Sequence, residues 1–148
     1  MSLTLNKNIL SFLDLKNLSF YVIHVNYYYT RLIDNSNDIE YYPAEIALAE
    51  CSLTKGVIRI LNLIINEKVK IGFTASAKEH SANTHKIPIY EDQVEGLSDY
   101  TEIFQKIIEF LEPGRENRKL PPMYTLFSKE DIYRPTKSVL GRIALMNG

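Results

Sequence analysis

Cysteine is nearly missing from this chain. Cys51 stands alone among 148 residues, which excludes an internal disulfide and any zinc knuckle built on paired cysteines, and suits a reducing compartment. Tryptophan is absent altogether. Charge of one sign is lacking too: 17 basic against 18 acidic residues leave a formal charge of -1. A domain-wide basic field for nucleic acid is thereby excluded, and any such site must be a local patch. No uninterrupted apolar run reaches about 18 residues, so the sequence predicts no membrane-spanning segment. The first ten residues are broken by Asn6, Lys7 and Asn8 before an apolar core of signal-peptide length develops. The expected location is cytosolic or nuclear.

What remains is the composition of an ordinary globule, 45% apolar and 24% charged, long enough for one domain with its own core. Its aromatics are unevenly spread. Of 10 tyrosines, five lie in Tyr27-Tyr28-Tyr29 and Tyr41-Tyr42, on either side of the turn-forming cluster Asp34-Asn35-Ser36-Asn37-Asp38. Such rings can stack bases in single-strand binding proteins, but tyrosine's preference for strands is the simpler account.

Leu5, Ile9, Phe12 and Leu13 are spaced by three and four, predicting a short amphipathic lead-in helix over residues 3–16. Leu18 to Tyr29 is apolar and aromatic almost throughout, which predicts a strand buried on both faces, with His24 a core residue rather than a ligand. A strand from Ala44 to Glu50 follows, with Ile46 and Leu48 on one face and Glu45, Ala47 and Ala49 on the other. The small residues either leave room for something to approach or pack against a helix. The run Val57 to Ile65 is ambiguous: Leu53, Val57, Ile60, Leu61 and Ile64 fit a helical stripe, while the β-branched residues favour a strand.

Val69 to Phe73 reads as a short strand or an extended piece, and Thr74 to Thr84 as loop. Ser98 is the expected cap of a helix whose stripe is Tyr100, Ile103, Phe104, Ile107, Ile108 and Leu111, stopped by Pro113-Gly114. Arg115, Arg118 and Lys119 decorate the loop beyond; three cations in one polar loop are ordinarily solvated surface, with contact to RNA phosphates the functional alternative. Met123 to Phe127 is a buried strand candidate. Pro135 opens a last helix with Val139, Leu140, Ile143 and Leu145 as its apolar side.

Two motifs carry chemistry. Glu45 lies in Tyr42-Pro43-Ala44-Glu45-Ile46-Ala47, and His85 in Thr84-His85-Lys86-Ile87-Pro88-Ile89. With Cys51-Ser52-Leu53-Thr54-Lys55-Gly56 between them and Pro121-Pro122-Met123-Tyr124 after, the series resembles the Maelstrom domain of the piRNA pathway, over about Phe20 to Phe127. That resemblance implies an α/β fold with an RNase H-like mixed sheet: an antiparallel three-strand meander, then alternating helix and strand, with residues 1–17 a lead-in and 18–148 a partial domain truncated at its C-terminus. It assigns Val57 to Ile65 to the third strand. Related 3′ to 5′ exonucleases need an Asp and a Glu two residues apart to hold two divalent ions; the matching positions here are Asn26 and Tyr28, so two-metal exonuclease chemistry is not expected.

The resemblance further implies half of a structural zinc site, with Glu45 and His85 matching a glutamate and the first histidine of a Glu-His-His-Cys set. The second histidine and the cysteine of that set belong to a later segment. His80, His24 or Cys51 would complete it only by coincidence, and Cys51 lies about 20 Å from Glu45 along a regular strand. The function implied is transposon silencing in the germline, by a module that binds single-stranded RNA with weak endonuclease activity, among piRNA-pathway proteins in the nucleus and cytoplasm (perinuclear germ granules). The alternative is an inactive nuclease-fold scaffold for protein interactions; a metal-dependent nuclease using Glu45, Glu50 and Asp131 is a third reading.

Overall fold

The computed structural model describes residues 12–125 and 133–146. After a short helix α1 (Phe12–Asn17), three strands form an antiparallel meander: β1 (Phe20–Leu32), β2 (Ile39–Ser52) and β3 (Gly56–Ile64). Helices α2 (Thr74–Asn83) and α3 (Tyr100–Leu111) precede the two-residue strand β4 (Met123–Tyr124), and α4 (Tyr133–Met146) follows it. The sheet order is β3-β2-β1-β4, with β4 parallel to β1. The expected mixed α/β sheet is thus present, and Val57 to Ile64 is strand.

Each turn has a local cause. Between β2 and β3, Lys55 N–H donates to Ser52 Oγ at 3.0 Å, and Gly56 adopts φ 68°, open to a residue without a Cβ. Between β1 and β2 the expected polar cluster turns the chain, with Asn35 at φ 63° and Ile33 N–H bonded to Asp38 C=O at 3.0 Å.

One face of the sheet is core. Tyr21, Ile23 and Val25 of β1, Ile46 and Leu48 of β2, and Leu63 of β3 pack with Ile103, Ile107, Phe110 and Leu111 of α3 and Val139 and Ile143 of α4. Burying each such side chain contributes about 1.5–3 kcal/mol. A second cluster at the far end of β1 joins Tyr28, Tyr29, Tyr42, Ala44, Ala77 and Ile89.

The structure departs from the sequence pattern at several elements. β1 is not buried on both faces: His24 is exposed, and Phe20 and Val22 are only partly covered, because both α3 and α4 lie on the opposite side. The Ala47 and Ala49 face is therefore half open rather than packed under either helix. Of the two forms open to Val69 to Phe73 the strand is not formed; the chain runs outside the sheet and turns at Ile71-Gly72, with Gly72 at φ 94°. Thr74 to Asn83 is helix, and its buried side consists of Ala77 and Ser81, too small to leave an apolar stripe. The strand at Met123 is two residues long with Tyr124 57% exposed; Leu126 and Phe127, with Leu5, Ile9 and Asp131, lie outside the described residues. Leu145 is 84% exposed, so α4 turns Val139 and Ile143 inward without it.

The cap of α3 is Asp99, one residue past Ser98: its carboxylate accepts from Thr101 N–H at 2.8 Å. Asp99→Ala is expected to cost about 1 kcal/mol. A thermal midpoint lowered by about 3 °C would show it, and an unchanged midpoint would mean that the cap contributes nothing.

Candidate functional site

Glu45 and His85 are brought to the same end of the sheet. Glu45 is opposite Asn26 in the β1–β2 register, and Asn26 Nδ2 donates to Glu45 Oε2 at 2.7 Å. On the other side of Asn26, His24 Nε2–H donates to Asn26 Oδ1 at 3.2 Å. His24, Asn26 and Glu45 thus form a line on the outer face, since residues two apart on a strand share a face. His24 belongs to this line rather than to the core.

His85 sits below a break in the sheet. The β1–β2 register shifts on both sides of Tyr27, which is opposite Pro43. His85 Nδ1 accepts from Ile87 N–H at 3.0 Å. The ring is therefore neutral with its proton on Nε2, and Nε2–H donates to Tyr27 C=O at 3.0 Å. Burial pushes the His85 pKa down, opposed by the Tyr27 bond and the Glu45 charge. His80, reaching up from α2, stacks on Tyr27 with centroids 4.2 Å apart and meets His85 edge-on at 5.9 Å. Its pKa is likewise pushed down, by burial and by His85. Tyr41 closes the ring cluster, edge-on to Tyr27 at 4.9 Å.

The two positions matched to the exonuclease carboxylates are occupied differently. Asn26 is tied into the outer line, whereas Tyr28 is buried, its hydroxyl donating to Ile65 C=O at 2.8 Å. Burial, with Glu67 nearby, pushes the Tyr28 pKa up to about 12. Neither side chain can hold a divalent ion as a carboxylate does.

This arrangement does not fit zinc. Ligation by imidazole uses a free ring lone pair, with the other nitrogen donating to a carbonyl or carboxylate; the only lone pair of His85 is spent on Ile87 N–H. Among the described residues no three His, Cys, Asp or Glu side chains converge as a metal site. Glu50 does not join Glu45 either: it is on the core-side face and pairs with Arg59, five residues away along β2.

The basic loop is elsewhere. It follows Gly114, where an added Cβ would lie 2.7 Å from the Tyr21 ring, so the loop abuts the early part of β1, about 16 Å along the strand from Asn26. Arg115 is engaged, its guanidinium gripping Glu112 at 2.7 and 2.9 Å and Arg118 C=O at 3.2 Å. That grip, with Asn117 and Arg118 at positive φ, holds the loop so that the exposed Arg118 and Lys119 project from it. Sequence reasoning missed His80 and Tyr27 as a stacked pair, for want of any signal placing residue 80 on a helix.

Known proteins are similar to this chain in sequence and in fold. The profile of the Maelstrom family, described as a piRNA pathway germ-plasm component, matches residues 34–145. A Maelstrom homologue from Culex quinquefasciatus is 33% identical over 109 residues, 73% of this chain and 20% of that protein. Maelstrom 1 of Drosophila ananassae is 26% identical over 135 residues, 90% of this chain and 31% of that protein. The chain thus spans about a fifth to a third of the length of these relatives. In fold it is similar to the nuclease domain of 3'hExo, a DEDDh family member, bound to rAMP: TM-score 0.52 at 10% identity, over 89% of this chain and 62% of that one. The fold is therefore that of RNase H-like exonuclease domains, and the chain belongs to the Maelstrom family.

Proposed function

We propose that this chain is a single-stranded RNA-binding module of the piRNA pathway, acting in transposon silencing without two-metal exonuclease chemistry. The observation that carries the reading is the nuclease fold with Asn26 and buried Tyr28 where the carboxylates would be. A fold that approaches RNA but lacks the groups to hold two ions keeps its surface and loses the hydrolysis that depends on them. The similarity to a nuclease domain bound to rAMP supports a ribonucleotide ligand. Arg118 and Lys119 supply phosphate contacts, and the partly exposed rings of Tyr27, Tyr41 and His80 offer bases a stacking surface.

Anisotropy of a labelled 20-nucleotide RNA at low salt, with chelator present, tests this. Binding is expected to weaken as salt rises, and the double variant R118E/K119E to reduce the log–log salt slope by about two. No binding at low salt would sink the proposal. A denaturing gel of the same samples reads any endonuclease activity.

A second reading, a nuclease-fold scaffold for protein partners, is favoured by one feature. The edge strand β3 leaves Val57, Ile58 and Ile60 exposed, on a chain whose net charge is near zero. Partners recovered with the chain after RNase treatment would favour it over the first.

A further inference from the structure

We propose that the groove between α4 and the β1–β2 hairpin is the channel for the sugar–phosphate backbone of the RNA, with Gly141 its point of closest approach and Lys137 and Arg134 its phosphate contacts. This site rests on the RNA-binding reading above, which places phosphates only at Arg118 and Lys119. The groove holds about 840 Å³, within the range of small-ligand clefts. Residues 33–41 form one wall and α4 the other. Two contacts set their separation: Tyr41 N–H donates to Ser138 Oγ at 3.3 Å, and Arg142 Nε lies 3.9 Å from Glu40 Oε1.

Gly141 is the residue that the fold itself does not require. It lies inside α4 and outside the positive-φ glycines, so its backbone suits any side chain, and glycine in a helix interior costs stability relative to alanine. Packing does not demand it either: a Cβ added there would meet nothing within 4 Å. The missing side chain instead deepens the groove, in the middle of a stripe that Arg134, Lys137, Gly141 and Leu145 make at spacings of three and four. Close approach of a ligand to backbone is one of the uses of glycine.

Charge selects what approaches. Arg134 and Lys137 are exposed on the α4 wall. On the hairpin wall Glu40 is already engaged by Arg31 at 3.1 Å and by Arg142, which leaves Asp38 as the carboxylate opposing them. Two cations beside a bare stretch of helix suit a phosphodiester backbone. Tyr41 supplies the link to the stacking surface: it lines the groove and is edge-on to Tyr27 at 4.9 Å, which in turn stacks on His80. A strand whose bases stack on those rings carries its phosphates into the groove. The Arg118 loop, beside Tyr21, and the groove, beginning at Ile33, lie toward opposite ends of β1, with the rings between them.

Anisotropy of the labelled 20-nucleotide RNA across a salt series, with the full chain and chelator present, tests this. Gly141→Leu fills the groove from α4 and is expected to weaken binding about tenfold, with a thermal midpoint no lower than that of the wild type. Lys137→Glu is expected to reduce the log–log salt slope by about one. Asp38→Asn, which removes the opposing carboxylate, is expected to tighten binding about twofold to fivefold at low salt. Should Gly141→Leu fail to fold, the two charge variants decide alone. Wild-type affinity and salt slope in Gly141→Leu and Lys137→Glu overturn the groove while leaving the RNA-binding reading intact. Absence of binding by the wild-type chain at low salt overturns both.

Discussion

Arg142→Ala is expected to lower the thermal midpoint by about 10 °C, the largest loss from any charged residue outside the candidate site. Arg142 projects from α4 into a nest of groups drawn from three other segments. Its Nη2 donates to Glu67 Oε1 at 2.9 Å, and its Nε lies 3.9 Å from Glu40 Oε1. The guanidinium carbon sits 4.5 Å from the Tyr42 ring centre and 5.3 Å from that of Tyr100. Tyr100 in turn donates to Glu67 Oε2 at 2.6 Å, and Tyr42 to Glu40 Oε2 at 2.8 Å. Burial pushes the Tyr100 pKa up, with Glu67 adding to the effect, so the phenol stays a donor.

Removing the cation leaves Glu67, at 17% side-chain exposure, without its ion-pair partner and Glu40, at 23%, with Arg31 alone at 3.1 Å. Breaking such a pair costs about 3 kcal/mol, and the two ring contacts are lost as well. Arg142→Lys keeps the charge but not the planar fork, so it is expected to fall between wild type and alanine. Thermal unfolding followed by circular dichroism checks the order. An alanine variant within about 2 °C of wild type would mean that α4 is held by Val139 and Ile143 alone.

None of that nest was legible from the sequence, since Arg142, Glu67, Glu40 and Tyr100 are joined only by the fold. What was legible followed a period. Ile103, Ile107 and Leu111 recur at helical spacing and are the buried side of α3. Ile46 and Leu48 alternate with Glu45 and Ala47, and β2 buries them accordingly. The signal failed where exposure and apolarity part company. At the edge strand β3, Val57 is 59% and Ile60 68% exposed, so apolar residues fall on both faces and no period of two survives. Along α2 the buried contacts are Ala77 and Ser81, which no hydrophobic pattern marks.

The candidate site was half legible for a similar reason. Pro88 biases the residue before it away from helix, in keeping with His85 lying beyond the end of α2. Its partners, Tyr27 C=O and Ile87 N–H, are backbone groups that no side-chain motif discloses. Likewise, tyrosine clusters near residues 27–29 suggested either a strand or a stacking surface, and the structure divides them. The bulges at Asn26/Tyr27 and Tyr27/Tyr29 turn Tyr28 and Tyr29 into the second core and leave Tyr27 at the edge of the histidines.

That division gives the strongest expected effect. Restoring the exonuclease pattern with Asn26→Asp and Tyr28→Glu is expected to unfold the chain, and Tyr28→Glu is the substitution responsible. Tyr28 is 1% exposed and packed with Tyr29, Tyr42, Ala44, Ala77 and Ile89. Its hydroxyl satisfies Ile65 C=O at 2.8 Å. Glutamate there forfeits a buried aromatic ring, leaves the Ile65 carbonyl without its donor, and puts a carboxylate near Glu67, already close enough to raise the Tyr28 pKa. The combined loss is about 5 kcal/mol or more, comparable with the whole stability of a domain this size. Asn26→Asp alone, facing the Glu45 carboxylate in place of the present donor, is expected to be folded but less stable. Circular dichroism of both single variants, with exonuclease assays in magnesium, decides the matter. A folded Tyr28→Glu chain that degrades RNA from its 3′ end would show that the carboxylate pattern can be regained by substitution. Loss of tertiary structure in that variant would instead show that the second core of β1 now occupies the position where the metal-binding carboxylate would stand.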